Sequence, residues 1–498
     1  MKEINWNKLG DYLKETQLLG SIQNTLYWDQ NTMMPKQGGP WRAEQLTYIA
    51  KKLHARNTSE EFAYLIDSAN QELNEFETED EKNVDKKRNI QLLYQELDRQ
   101  RKLDPKLVES LAKAKSEGYQ NWQQAKSDSK YEIFLPSFKK LIKLRIEEAK
   151  QISDVFSTWE TLAQPYEPDI SKEWVFNIFG PLKKTIPSLL EKSKEYKRTN
   201  WDLNKESQNI LCEKLLDDFG RDCNLVASAE SPHPFSITLG PRDYRITTRI
   251  VKGEPLSSFL ATAHEWGHSI YEQNLPSRSH QWFAWPLGQA TSMSVHESQS
   301  LFWENRIVKS KSFIKGFFKH FHKHNIPFKN YLEFWRSINT FKAGLNRVEA
   351  DELTYGMHIL IRTELEIELI EDGLDPKDLP FEWNKRYKNL LGVKPKSDKE
   401  GCLQDVHWSE GAFGYFPSYL IGHIISAQIT NKMEQELGSL DYLIENKDYK
   451  LIIKWLKENV HKYGRSLNAM QLVQKITNVD INPNFFINYL NQKIDDLI

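Results

Sequence analysis

Along most of this chain, apolar residues recur at intervals of three and four, with lysine and glutamate between them. Leu107, Leu111 and Ala114 form one such series, and Phe138, Leu141, Leu144 and Ile146 form another. That spacing lays an apolar stripe along a helix. It dominates from residue 1 to about 230. Pro105, Pro136, Pro165, Pro181 and Pro187 are expected to punctuate the helices. The charged run Glu77 to Arg88 reads as a solvated helix face or loop. The period changes over residues 233–250. Phe235, Ile237 and Leu239 alternate with Ser236 and Thr238, and Gly240-Pro241-Arg242-Asp243 signals a turn. Tyr244, Ile246 and Thr248 resume the alternation, so a β-hairpin is expected.

The helical period returns at Ser257, where serine is expected to cap a helix that ends before Pro276. An aromatic-rich loop, Gln281 to Pro286, follows. Helical spacing then runs from about Thr291 to the C-terminus, with breaks near 310–330, 372–382 and 393–410. No repeat or low-complexity linker interrupts the chain. The expected architecture is mainly α, with one small β element near the middle. One domain is expected over 1–498: a helical part to about 230, hairpin and helices over about 231–310, and a helical part from about 311.

Composition narrows the partners. Lysine and arginine number 67 against 69 acidic residues, so no field of one sign points to nucleic acid or an anionic membrane. The most apolar stretch, Tyr415 to Ile429, is too short to cross a bilayer and contains Pro417 and His423. The N-terminal residues lack an apolar core of signal-peptide length. Three cysteines, Cys212, Cys223 and Cys402, are an odd, sparse set that suits a reducing compartment. A soluble cytoplasmic protein is expected.

The chemistry concentrates in Ala263-His264-Glu265-Trp266-Gly267-His268-Ser269. Two histidines at i and i+4 share a helix face and can bind one metal ion. Glu265 stands beside the first, placed to act on a water at that ion. Gly267 costs a helix about 1 kcal/mol relative to alanine, so its presence implies that something approaches the backbone closely there. A catalytic zinc usually takes a third protein ligand. Glu297 is the best candidate, and the adjacent His296 is its rival; neighbours on a helix point about 100° apart, so only one of them binds. The hairpin before this helix is either structural or an edge that pairs with extended peptide.

Motifs spread along the whole chain resemble the carboxypeptidase Taq family of zinc metallocarboxypeptidases. They are Tyr27-Trp28-Asp29-Gln30-Asn31-Thr32-Met33-Met34-Pro35, His233-Pro234-Phe235, Asp243-Tyr244-Arg245-Ile246-Thr247, the His264 to His268 motif, His296-Glu297-Ser298-Gln299, Asn346 to Glu352, and Gly401 to Trp408. One departure is Asn346, where the family form has isoleucine before the arginine. The resemblance implies that His264, His268 and Glu297 bind the metal and that Glu265 is the catalytic carboxylate. It also implies a homodimer, and a deep groove between helical walls in a fold similar to neurolysin and angiotensin-converting enzyme.

On that reading, the substrate is a peptide with a free C-terminus, the ion is Zn2+ with Co2+ or Mn2+ as alternatives, and single residues are released with broad specificity. The oxyanion of amide hydrolysis needs donors. His407, Tyr415 and Tyr419 are candidates; the plainer readings are a core histidine bonded to Asp405 or to backbone, and packed tyrosines. A guanidinium suits the terminal carboxylate. Arg347 is the first choice and Arg245 the second, while a salt bridge from Arg347 to Asp351 on one helix face is the alternative. His296 and Asp351 are candidates to orient the ligands. Competing activities are an endo-acting oligopeptidase on the same scaffold and a non-catalytic helical protein with a structural metal.

Overall fold

The computed structural model describes residues 4–75, 81–193, 201–279 and 281–498. The N-terminal part folds as α1 (Ile4–Thr32), α2 (Gly39–Asn57), α3 (Glu60–Asn74), α4 (Glu81–Arg101), α5 (Pro105–Asp128), α6 (Tyr131–Ile152), α7 (Thr158–Ala163), α8 (Lys172–Lys192) and α9 (Lys205–Asp218). The sheet follows as β1 (Val226–Glu230), β2 (Ser236–Gly240) and β3 (Asp243–Thr248), and leads into α10 (Ser257–Asn274) and α11 (Met293–Leu301). The remainder is α12 (Lys311–His322), α13 (Tyr331–Ile338), α14 (Tyr355–Ile367), α15 (Leu379–Leu391), α16 (Pro417–Leu437), α17 (Leu440–Glu445), α18 (Tyr449–Asn459), α19 (Ala469–Thr477) and α20 (Asn484–Leu497).

The apolar stripes do what their spacing implies. Leu107, Leu111 and Ala114 of α5 are buried, as are Phe138 and Leu141 of α6. Pro105 opens α5 behind the Asp104 cap, where its missing N–H costs nothing. Three prolines depart from the expectation. Pro136 lies inside α6, and Pro181 and Pro187 lie inside α8. Burial of Val175, Ile178, Phe179, Leu182, Ile186 and Leu189 along α8 outweighs the hydrogen bonds the prolines remove. Of the charged run, residues 77–80 lie outside the described residues, and the rest opens α4.

The hairpin is present. β2 and β3 pair antiparallel with Thr238 opposite Tyr244, and β3 also pairs in parallel with β1, giving the order β1-β3-β2. Sequence reading missed β1, whose Val-Ala-Ser-Ala-Glu carries one buried residue and no alternation. The outer edge of β2 is engaged by α1. The Ser21 hydroxyl donates to the Leu239 carbonyl, and Asn24 Nδ2 donates to the Thr238 carbonyl at 3.1 Å. On the inner face, Tyr244 and Ile246 join one core with Phe259, Ala263 and Trp266 of α10.

One expected break is a helix. α12 spans Lys311–His322 behind a Ser310 cap and buries Phe313, Ile314, Phe317 and Phe321. Gly316 and the dense basic residues between them obscured that stripe. Residues 393–410 hold no α-helix, only a 3-10 turn at His407–Glu410. The aromatic loop is anchored by Trp285, whose ring stacks on Trp6 of α1 at 3.9 Å.

Candidate metal centre and active site

α10 starts at Ser257 with Leu256 in the capping position and no side-chain cap, so Ser257 is the first helical residue and not the expected N-cap. His264 and His268 sit one turn apart, their ring centroids separated by 4.8 Å. Gly267 between them has the close neighbour its presence implied. A Cβ there would stand 2.5 Å from the Gln299 carbonyl oxygen and from Ser300 Cα. The glycine therefore lets α11 lie directly on α10. On the other side of α11, a Cβ at Gly422 of α16 would stand 3.0 Å from Cβ and Cγ of Glu297. The first turn of α11 is pinned by buried Glu167, which accepts from Ser294 Oγ at 2.6 Å and from Ser418 Oγ at 3.2 Å.

This packing delivers Glu297 to the histidines. Its Oε2 lies 3.8 Å from His264 Nε2 and 3.6 Å from His268 Nε2. One ligand atom from each of the three residues falls within 4.8 Å of the other two. The side chains retain 24%, 17% and 14% exposure, so the cluster opens on one side to solvent.

Each histidine is held from behind. His264 Nδ1 lies 3.0 Å from Glu304 Oε2, and Glu304 Oε1 accepts from Lys309 Nζ at 2.7 Å. Glu304 stands in a wide π turn, Phe302–Val308, that prolongs α11. His268 Nδ1 lies 2.6 Å from His296 Nδ1, and His296 Nε2 lies 2.9 Å from Glu272 Oε1. His296 thus stands behind His268, outside the cluster of His264, His268 and Glu297. Asp351 does not orient a ligand: it accepts from the backbone N–H groups of Lys342, Leu353 and Thr354.

The donor set suits a divalent cation: two imidazole nitrogens and a carboxylate, each imidazole steered by a partner. Three carboxylates, Glu297, Glu304 and Glu265, surround His264 with the negative field that attracts a cation. Burial lowers the His264 imidazole, but Glu297, then Glu304 and Glu265, outweigh it and raise it to about 10. Burial, then His296 and His264, hold His268 well below its ordinary value. Burial raises the Glu297 carboxyl. Glu265 is only 6% exposed, and burial pushes it up to about 7 while His264 pulls it down.

A second cluster lies beside Glu297. Tyr419 stands on α16 one turn before Gly422, with Tyr415 just ahead of that helix at a ring distance of 5.2 Å. His407 Nε2 is 3.4 Å from the Tyr419 hydroxyl, and its ring packs on Phe416 at 4.6 Å. Burial pushes the His407 imidazole down to about 4. Asp405 does not bond His407; its carboxylate accepts from Arg347 Nε at 2.8 Å and Arg362 Nε at 2.6 Å. Arg347, 8% exposed, lies in a 3-10 turn, donates from Nη1 to Tyr355 at 2.9 Å, and faces the Tyr419 ring at 5.2 Å. The alternative pairing with Asp351 on one helix face does not form. Arg245 pairs with Asp243 on its own strand at 3.0 Å and lies 5.5 Å from the Trp28 ring.

The profile of the family described as carboxypeptidase Taq (M32) metallopeptidase matches residues 8–494. This chain belongs to that family. It is a metallocarboxypeptidase, and the family holds a divalent metal. The chain is 32% identical to thermostable carboxypeptidase 1 of Thermus thermophilus over 99% of its length and 98% of the relative's. Its identity to carboxypeptidase 1 of Bacillus subtilis is also 32%, covering 98% and 97% of the two chains. The crystal structure of the M32 carboxypeptidase from Deinococcus radiodurans superposes with a TM-score of 0.93 at 28% identity, covering 99% of each chain. The family assignment favours the carboxypeptidase over the endopeptidase and binding-protein readings. Among the described residues, no helix of this metallopeptidase is long and apolar enough to cross a membrane.

Sequence reading missed several partners. Glu272 follows His268 by one turn on the same face, a usable signal. Glu304, Tyr355 and Arg362 gave none in isolation.

Proposed function

We propose that this metallocarboxypeptidase removes single residues from peptides with a free C-terminus, using His264, His268 and Glu297 as ligands of a zinc ion and Glu265 as general base. The observation that carries this reading is the convergence of three ligand atoms within 4.8 Å, with Glu265 next to the first ligand in the chain. A divalent ion held there supplies Lewis acidity, activating water and polarising the scissile carbonyl. Zinc suits two nitrogens and a carboxylate, and cobalt and manganese fit the same donors.

Glu265 takes the proton of the attacking water and delivers it to the departing amine. Burial raises its pKa toward neutrality, which suits a group that must both accept and donate. Beside a cation held by His264, His268 and Glu297, Glu265 would lose its proton more readily and stand as a base at neutral pH. Burial raises the phenols of Tyr415 and Tyr419, so both remain protonated donors for a developing oxyanion. His407 stays neutral and orients Tyr419. Arg347 holds the terminal carboxylate, which sets the scissile bond one residue from the end. Arg245, stacked near Trp28 on the sheet, is a secondary contact for the peptide.

The protein acts as a cytoplasmic homodimer on this reading. Its three cysteines are unpaired, Cys212 and Cys402 buried, as suits a reducing compartment. The dimer follows the family resemblance.

The test is a digest of one peptide and its C-terminally amidated twin, read by mass spectrometry. A ladder of single-residue losses from the free peptide alone is expected. A chelator abolishes it, added zinc restores it, and Glu265→Gln lowers the rate about 10²–10⁴-fold while retaining metal. Internal cuts in both twins would sink the reading.

A further inference from the structure

The two arginines on Asp405 differ in everything else. Arg362, on α14, is fully buried. Its Nη1 donates to the His358 carbonyl at 2.8 Å and to the Tyr387 hydroxyl at 3.1 Å, and its Nη2 donates to Gln404 Oε1 at 3.2 Å. Its guanidinium lies 4.6 Å from the Trp383 ring centroid. Every nitrogen of that fork has a protein acceptor, so Arg362 is closed to any ligand. Arg347 spends Nε on Asp405 and Nη1 on Tyr355. Among the described residues its Nη2 has no acceptor.

The hydrogen-bonded set therefore contains two guanidinium groups and one carboxylate. His407 beside it adds no charge, because burial holds its imidazole low. Lys126 donates to the Gln404 carbonyl at 2.7 Å and also feels the Asp405 carboxylate, so it adds to the positive side of the balance. Around Asp405 positive charge is in excess, and among the described residues the guanidinium of the pair with an open nitrogen is Arg347, at Nη2; Glu297, which also feels Arg347, belongs to the cluster with the two histidines. Were Asp405 shared with Arg347 alone, the pair would be neutral. An incoming carboxylate would then meet an arginine already balanced.

We propose that Arg362 is a positioning residue for the substrate's C-terminus: by neutralising Asp405 from behind, it frees the charge of Arg347 for the terminal carboxylate. The preference for a free C-terminus then depends on a buried side chain that never touches the peptide. This rests on the assignment of Arg347 above.

The test compares KM and kcat on a free-carboxylate peptide for Arg362→Met, Asp405→Asn, the double variant and Arg362→Lys, with Arg347→Ala alongside and folding checked by thermal melts. Arg362→Met is expected to raise KM about tenfold or more, with a smaller change in kcat. Adding Asp405→Asn should bring KM back toward wild type, because the asparagine oxygen still accepts from Arg347 Nε and the lone guanidinium recovers its charge. If Arg362 only packs, the double variant is worse than Arg362→Met, and the proposal falls. Should Arg362→Met fail to fold, the other two variants decide. Arg362→Lys keeps the charge and should stay close to wild type in KM. Asp405→Asn alone should lower KM, and a tenfold rise there would overturn the proposal. An Arg347→Ala enzyme with unchanged KM would remove the anchor reading and this inference together. A damaged Arg347→Ala without rescue in the double variant would remove this inference alone.

Discussion

The proposed ligand wall of this site, around His264, His268 and Glu297, and the proposed anchor wall, around Arg347, are built in opposite ways. His264, His268 and Glu297 sit on two regular helices, α10 and α11, pressed together at Gly267. Residues around Arg347 come from a 3-10 turn at Arg347–Glu349, a loop at Asp405, a second turn at His407–Glu410 and the start of α16. The first wall takes its geometry from helix packing, where spacing along the chain fixes direction. The second takes its geometry from a hydrogen-bonded charge cluster centred on Asp405. Rigidity thus comes from shape in one wall and from polar pairing in the other.

Three variants sharpen that contrast. The largest effect should come from Gly267→Ala. The added carbon meets backbone atoms of Gln299 and Ser300, which have no rotamer to yield. We expect a loss of about 1–3 kcal/mol or more, read as a lower melting temperature with metal affinity falling in step. A stable, fully metallated Gly267→Ala protein would show that the ligand wall is not shape-limited. Next is Glu304→Gln, which keeps the packing but weakens the hold on His264. Metal affinity in a chelator competition should fall about 10–100-fold, with little change in the melting temperature of the apoprotein.

The smallest effect concerns the joint behind the anchor wall. Glu366 accepts from Trp159 Nε1 at 2.7 Å, from Trp408 Nε1 at 2.8 Å and from the Gly414 N–H. Burial pushes it from 4.5 up to about 7, against those hydrogen bonds. A carboxyl raised on folding holds its proton longer in the folded chain. Stability should therefore fall as pH rises from about 4.5 through about 7. Melts of wild type against Glu366→Gln across that window should converge at the acid end and separate by a few degrees at most at the neutral end, wild type lower. A flat difference would place the titration elsewhere.

The two walls also differ in how far the sequence discloses them. His264, Glu265 and His268 lie within one turn of a single helix, and the cost of Gly267 to that helix implies its close neighbour. Glu297 was legible as the best candidate but not separable from its neighbour His296, because the close approach of α11 depends on glycines in two other helices. Asp405 was read as a partner of His407, and its pairing with Arg347 and Arg362 was out of reach, as was Tyr355: they meet only after α14, α16 and two short turns come together. The prolines inside α8 and the missed α12 teach the same lesson locally, since buried aromatic and aliphatic surface overrode breakers that read strongly in isolation.

The wide turn at Phe302–Val308 gives the ligand wall a particular fragility. Its pitch lodges one residue more than an ordinary α-helical path over the same distance. Deleting Phe302 or Trp303 would leave His264, His268 and Glu297 in the sequence and allow the helix to run on unbroken. Glu304 would then swing about 100° around the axis, away from His264. A homologue with a perfect motif but a one-residue gap at this point would therefore have lost its grip on the first histidine, a defect that motif matching alone passes over.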